Sequence, residues 1–162
     1  MNVGLAALAL VAGPAAAQDV SYLTTSAGIF DINDDKRAGE ARMEWRSGTS
    51  YWHFKPLVGG MATTDGAFAA FAGVLIDIPL GSSGFILTPS FAPGLFTKGT
   101  GKDLGHAVEF RSQIEISYQF ASQARLGLAL SHMSNASLGK SNPGEESLVL
   151  TYSVPFSTVF RP

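Results

Sequence analysis

The sequence predicts an all-β protein, specifically an eight-stranded antiparallel transmembrane β-barrel. Three observations lead to this prediction. Apolar and polar residues alternate along several short segments; glycine occurs 18 times and aromatic residues make up 10% of the chain; only 15% of the 162 residues are charged. Many short strands joined by turns fit this composition better than a bundle of helices. A chain of this length is expected to form one domain.

The first residues predict a secretory signal peptide rather than part of the fold. An apolar run begins at Val3 and ends in an Ala-x-Ala pattern before Gln18. This pattern predicts cleavage after Ala17, with residues 1–17 as the signal peptide and residues 18–162 as the barrel domain. An N-terminal membrane anchor is the alternative, but the apolar run is short for a spanning helix.

Eight later segments carry the composition or the alternation of strands. They lie at residues 20–30, 39–45, 52–62, 67–78, 85–95, 109–120, 124–134 and 147–156. Most are separated by clusters of Gly, Asn, Asp, Ser and Pro, which favour turns. Several approach the roughly 9 to 11 residues that a tilted membrane-crossing strand requires. An even number of antiparallel strands can close into a barrel without free edges. Closure is required in lipid, because unpaired backbone N–H and C=O groups are costly there.

Residues 109–120 form the clearest predicted strand, with charged and amide side chains on one face. The apolar residues of the other face are Phe110, Ile114, Ile116, Tyr118 and Phe120. A soluble, lipocalin-like barrel with apolar residues around a ligand is the alternative architecture. A polar face so rich in charges does not suit a ligand-filled interior, and residues 152–156 resemble the terminal strand of outer-membrane barrels. We therefore expect the apolar faces to point outward, although residues 157–162 extend past Phe156, where such barrels usually stop.

Composition also argues against several functions. A net charge of -2 without a basic face argues against nucleic-acid binding, and the lack of cysteine excludes disulfides and thiolate metal sites. His53 has no second ligand at a suitable spacing. The glycine-rich residues 99–105 before His106 lack the Gly-Lys-Ser/Thr ending of a phosphate-binding loop. We expect no metal and no other cofactor.

The last predicted hairpin places reactive side chains in phase with its most apolar residues. His132 and Ser134 share a strand face with Leu126, Leu128 and Leu130, and Glu146 shares one with Leu148, Leu150, Tyr152 and Val154. A register that opposes His132 to Glu146 also pairs Leu130 with Leu148, Leu128 with Leu150 and Leu126 with Tyr152. Glu145 has the opposite parity and is expected to face the lumen or a rim.

Histidine, serine and a carboxylate suggest nucleophilic catalysis, since a serine hydroxyl needs a base and the base needs an orienting group. The Cα atoms of His132 and Ser134 should lie about 7 Å apart, so contact requires side-chain reach or a bend where the strand ends. A solvated hairpin end is the simpler alternative. Charged groups on a lipid-facing wall cost a few kcal/mol near the midplane, which favours a functional reason for them.

The same residues resemble a known family. The runs His132-Met-Ser134-Asn135-Ala136-x-Leu138 and Asn142-Pro-Gly-Glu-Glu146-Ser-Leu are similar to the signature of PagL-type lipid A 3-O-deacylases, which belong to the acyloxyacyl hydrolase-like outer-membrane proteins. Residues 91–95 and 101–110 extend the resemblance, which covers the C-terminal half well and the first half poorly. It implies an eight-stranded barrel with a His-Ser-Glu triad on its outer wall.

The resemblance implies that Ser134 is the nucleophile, His132 the general base and acid, and Glu146 its orienting partner. It also places Asn142 in the oxyanion hole, and the backbone N–H groups near Asn135 and Ala136 are candidate second donors. The implied substrate is lipid A of lipopolysaccharide, which the enzyme would meet among the other lipids of the outer membrane. The resemblance implies no cofactor and leaves a homodimer open. The alternatives are a non-catalytic structural or adhesin-like barrel and a phospholipase that uses the same triad.

Overall fold

The computed structural model describes residues 20–35 and 37–159, so the predicted signal peptide and Phe160 lie outside the described residues. This part of the chain forms nine strands and one short helix. They are β1 (Tyr22–Phe30), β2 (Ala38–Arg46), β3 (Lys55–Thr63), β4 (Phe68–Leu75), β5 (Ile78–Pro79), β6 (Phe85–Thr97), β7 (Val108–Gln119), β8 (Arg125–Ser134), β9 (Glu145–Pro155) and α1 (Phe156–Val159). No helix in these residues is long and apolar enough to cross a membrane.

The strands close into an antiparallel barrel. Consecutive long strands pair with one another, β1 also pairs with β9, and β4 pairs with β6. The short β5 pairs only with β6, beyond the point where β4 leaves it. The barrel wall therefore has eight strands, which confirms the predicted fold class.

The two ends of the barrel differ in their connections. The loops β1–β2, β3–β4, β6–β7 and β8–β9 lie at one end, which we call the loop end. The connections β2–β3 and β7–β8, the segment from β4 to β6 that includes β5, and both ends of the described chain lie at the opposite end, which we call the turn end. The two longest connections, β6–β7 and β8–β9, both lie at the loop end. In outer-membrane barrels the longer loops lie at one end and the short turns at the other end face the periplasm.

The barrel is inverted relative to a soluble protein, with apolar side chains outside and charged ones inside. On β7, Glu109, Arg111 and Glu115 are buried, whereas Ile114 is 59% exposed and Ile116 46% exposed. The strands β8 and β9 show the same alternation. The period of two that predicted the strands thus also predicted which face points outward, as expected for a wall in contact with lipid.

The barrel interior holds a network of ion pairs. Glu44 accepts from Arg46 at 2.8 Å and lies 2.6 Å from Arg111 Nη2, and Arg46 also pairs with Glu115 at 2.8 Å. The network contacts an apolar cluster, where the Arg111 guanidinium lies 3.8 Å from the ring of Phe71, and the fully buried Leu104 of the β6–β7 loop belongs to the same cluster. The interior is therefore packed with side chains around its charges.

The observed strands depart from the predicted ones at three places. The third strand begins at Lys55 rather than at residue 52, because Trp52 and His53 have positive φ and form a turn closed by Tyr51–Phe54 backbone bonds. The fourth predicted segment is interrupted after β4, where the Asp77 carboxylate accepts from Lys55 at 3.0 Å. The last strand ends at Pro155 and is followed by α1.

Candidate active site

His132 and Glu146 face each other on the outer wall near the loop end. They occupy opposed positions of β8 and β9, and the neighbouring pairs Leu130–Leu148, Leu128–Leu150 and Leu126–Tyr152 follow the same register. The predicted register is confirmed. His132 Nδ1 lies 2.9 Å from Glu146 Oε1, and the two side chains are 48% and 36% exposed.

This contact sets the chemistry available to the imidazole ring. When Nδ1–H donates to the carboxylate, the ring is held in one tautomer and Nε2 keeps its lone pair as a proton acceptor. The negative charge of Glu146 also stabilises the imidazolium that forms when Nε2 takes a proton. The pair therefore has the arrangement of a general base and its orienting acid.

Glu146 makes a second contact that the sequence did not predict. Its other oxygen, Oε2, accepts from the Asn33 side-chain amide at 3.1 Å. Asn33 belongs to the β1–β2 loop and lies 113 positions away in sequence. No local spacing could have identified it, since the two residues meet only because β1 closes the barrel against β9.

The absence of a side chain at Gly144 leaves room for the imidazole ring of His132 beside the β8–β9 loop. Gly144 has a φ of +65°, and a Cβ atom there would lie 2.9 Å from His132 Cε1 and 3.5 Å from Nε2. Glycine adopts positive φ without the steric cost that other residues meet. The Asn-Pro-Gly composition of residues 142–144 predicts a turn, but it does not indicate that the imidazole ring of His132 lies over it.

Ser134 lies at the end of β8, on the same face as His132 and half-buried. Phe110 of β7 is its cross-strand partner. In the described part of the chain, Ser134 forms no hydrogen bond with His132. The chain bends directly after this strand, with φ of +50° at Ala136 and +64° at Ser137. Catalytic hydrogen bonds in substrate-free enzymes are often long and tighten when the substrate binds.

The β8–β9 loop uses its two asparagines to hold its own shape. The Asn135 backbone N–H donates to Asn142 Oδ1 at 2.9 Å, and Asn135 Nδ2 donates to the carbonyl oxygens of Leu104 and Ser141 at 2.7 and 2.8 Å. The Asn135 backbone donor, one of the predicted oxyanion contacts, is thus occupied here. Two other predicted oxyanion donors, the Asn142 side-chain nitrogen and the Ala136 backbone N–H, form no hydrogen bond within the described residues.

The other two histidines lie apart from this pair. His53 is in the turn after Trp52 at the turn end, and His106 is in the β6–β7 loop, where its Nδ1 accepts from the Val108 N–H at 3.0 Å. Among the described residues, no group of three or more His, Asp or Glu side chains could hold a metal ion.

Glu145, the neighbour of Glu146, points into the barrel as its parity predicted. It is fully buried, and its Oε2 accepts from the Ser147 hydroxyl at 2.7 Å. It therefore takes no part in the outward pair.

A closed barrel with an apolar outer wall and an outward-facing His–Glu pair beside a serine defines a class, the small outer-membrane hydrolases. The family model for the lipid A 3-O-deacylases (PagL) matches residues 23–155. The chain belongs to this family. It is an outer-membrane enzyme that removes acyl chains from lipid A.

Two solved structures share the fold. The crystal structure of the outer membrane enzyme PagL superposes with a TM-score of 0.69 at 19% identity, over 83% of this chain and 99% of that chain. The crystal structure of Neisserial surface protein A superposes with a TM-score of 0.62 at 12% identity, over 84% and 97% of the two chains. No curated protein matches this chain in sequence.

Proposed function

We propose that this deacylase hydrolyses the ester at the 3-position of lipid A, with Ser134 as nucleophile, His132 as general base and acid, and Glu146 as the orienting acid. The observation that carries the proposal is the His132–Glu146 contact of 2.9 Å on an otherwise apolar outer wall. Ser134 is the hydroxyl next along the same strand face.

The reaction begins with proton transfer from the Ser134 hydroxyl to His132 Nε2 as Oγ attacks the ester carbonyl. The tetrahedral intermediate collapses when its bond to the sugar oxygen breaks, and the imidazolium returns the proton to that oxygen. Water then attacks the acyl-enzyme with His132 again as base, which releases the fatty acid and frees Ser134. Glu146 remains ionised throughout and stabilises the imidazolium.

The oxyanion of the tetrahedral intermediate needs hydrogen-bond donors. We assign this role to the Asn142 side-chain amide and the Ala136 backbone N–H, because the Asn135 N–H already donates to Asn142. Removing a single oxyanion donor typically lowers kcat by about 10²–10³-fold.

The position of the triad suits a substrate that arrives laterally from the outer leaflet. The residues lie near the loop end, and the wall below them on β8 and β9 is apolar, with Leu130 51% and Leu150 56% exposed. Acyl chains can lie along this wall while the ester reaches Ser134, so no deep pocket is required. One chain carries all the proposed residues, and the chemistry does not require the homodimer that the sequence left open.

The test compares lipid A from a host that expresses the wild-type chain with lipid A from a host that expresses Ser134→Ala. Mass spectrometry should show loss of one hydroxyacyl group, assigned to the 3-position by fragmentation, only with the wild type. The expected drop in turnover is at least about 10³-fold. Heat-modifiable gel migration checks that the variant barrel is folded.

Three outcomes would overturn the proposal. Loss of an acyl chain from another position would contradict the 3-O assignment. Phospholipid hydrolysis with intact lipid A would indicate a phospholipase, and full activity of Ser134→Ala would exclude this triad.

A further inference from the structure

Both oxygens of the Glu146 carboxylate are held, and they are held by different parts of the barrel. Oε1 contacts His132 Nδ1 at 2.9 Å, and Oε2 accepts from Asn33 Nδ2 at 3.1 Å. We propose that Asn33 is a positioning residue for the deacylation reaction, which holds the Glu146 carboxylate in the orientation that engages His132. This inference rests on the proposed triad.

A clamp on Glu146 matters because this side chain is 36% exposed on the outer wall. An exposed glutamate has several rotamers, and fixing one of them costs conformational entropy. With only the imidazole as partner, the carboxylate could rotate away and leave His132 free to change tautomer. The amide of Asn33 restricts that rotation in advance of substrate binding.

The backbone next to Asn33 is hydrogen-bonded to β9, the strand that carries Glu146. Ile32 N–H donates to the Glu146 backbone oxygen at 2.8 Å, which continues the β1–β9 pairing beyond the end of β1. Asp31 has a φ of +59° and turns the chain at this point. The residue directly before Asn33 is therefore hydrogen-bonded to the backbone of Glu146, which keeps the Asn33 side chain close to the carboxylate.

Lys102 of the β6–β7 loop forms ion pairs with two aspartates of this turn. Its Nζ contacts Asp31 Oδ1 at 2.8 Å and Asp34 Oδ2 at 3.2 Å, on either side of Asn33. Burial lowers the pKa of Lys102, but hydrogen bonds to Asp31 and Asp34 outweigh it and raise the pKa above its usual value. The lysine therefore stays charged at neutral pH, and two loops cooperate to hold Asn33.

The experiment uses the full-length barrel in detergent with lipid A as substrate and measures kcat and KM across pH for Asn33→Ala and Asn33→Asp. Asn33→Ala should lower kcat roughly tenfold, because the orientation of the base is loosened. KM should change less than about twofold, since Asn33 is not proposed to bind the substrate.

Asn33→Asp gives a second signature that loss of structure would not produce. An added carboxylate beside Glu146 favours the imidazolium form of His132, so the acidic midpoint of the kcat/KM profile should rise by about 0.5–1 pH unit. The other charged groups around the pair are Lys102, Asp31 and Asp34, and they are unchanged in this variant. The variant is also isosteric, so it remains informative if Asn33→Ala does not fold.

Asp35→Asn is the matched control. It changes a charge in the same loop, but the Asp35 side chain is exposed and makes no contact with Glu146. Its kcat and pH midpoint should equal those of the wild type. If both Asn33 variants match the wild type while Ser134→Ala is inactive, the positioning role is wrong and the triad stands. If Ser134→Ala is active, the proposed function itself fails.

Discussion

Glu145 and Glu146 are adjacent in sequence, but their side chains lie on opposite sides of the barrel wall. Glu145 points into the barrel, is fully buried and accepts from the Ser147 hydroxyl. Glu146 points outward, is partly exposed and holds His132. Because successive residues of a strand face opposite sides, one step along β9 separates a group of the interior from a group of the candidate active site.

The same contrast holds for charged pairs in general in this barrel. Inside, Glu44 with Arg46 and Arg111 forms a buried network that no substrate can reach. Outside, the His132–Glu146 pair lies beside Ser134 on a surface open to lipid. Ion pairing alone therefore does not mark the site; the side of the wall and the neighbouring hydroxyl do.

Replacing the two neighbouring glutamates of β9 one at a time should have very different effects on activity. Glu146→Gln should lower kcat by roughly 10²–10⁴-fold, because the amide neither fixes the imidazole tautomer nor stabilises the imidazolium. Glu145→Gln should leave kcat within about twofold, since its side chain contacts no proposed catalytic residue. Initial rates of lipid A deacylation measure both variants.

The matched pair also shows how the prediction could fail. A similar loss of activity in both variants would mean that the charge of this strand end, rather than the outward contact, governs turnover. The gel-mobility assay for folded barrel should show equal fractions of the two variants.

The next effect concerns the interior. Glu44→Gln should destabilise the barrel by about 3–5 kcal/mol, because it leaves the buried charges of Arg46 and Arg111 without one carboxylate partner. Activity per folded molecule should stay close to that of the wild type. Urea unfolding in detergent micelles measures the loss.

Lys98→Ala is the control for the interior prediction. It removes an exposed ion pair with Asp103 in the β6–β7 loop, and such pairs contribute little. An unfolding midpoint equal to that of the wild type is expected. Equal midpoints for Glu44→Gln and Lys98→Ala would show that the interior network does not stabilise the barrel.

A smaller loss of activity is expected from a substitution at Gly144. Gly144→Ala places a methyl group 2.9 Å from His132 Cε1 and should displace the ring, lowering kcat roughly tenfold. Gly81→Ala is the control, because Gly81 has a similar φ of +64° with no atom within 4 Å of the added Cβ. Both variants carry backbone strain of about 1–2 kcal/mol, but only the first should slow deacylation.

Equal rates for the two alanine variants would show that Gly144 serves only the turn. A loss confined to Gly144→Ala, with unchanged KM, would place its role at the imidazole ring.

Much of the candidate site could be predicted because it belongs to one hairpin. Strand periodicity placed His132, Ser134 and Glu146 on the outward face, and the apolar pairs of β8 and β9 specified one register. A slip by one residue would turn every leucine of that face inward, so the apolar pattern and the site support the same pairing.

The rest depended on contacts between distant segments. Asn33 reaches Glu146 only through closure of β1 on β9, and Asn135 clamps a loop 31 residues away through the Leu104 carbonyl. Short-range spacing carries no signal for either arrangement.

Local patterns along the chain were enough to predict most strands, the outward direction of their apolar faces and the hairpin that pairs His132 with Glu146, because a period of two and a register are local properties. No local pattern shows which loops meet above that hairpin, how the second oxygen of Glu146 is held, or which backbone donors of the β8–β9 loop are engaged. Those features arise when the eight-stranded wall closes, since closure brings together side chains whose separation in sequence says nothing of their separation in space.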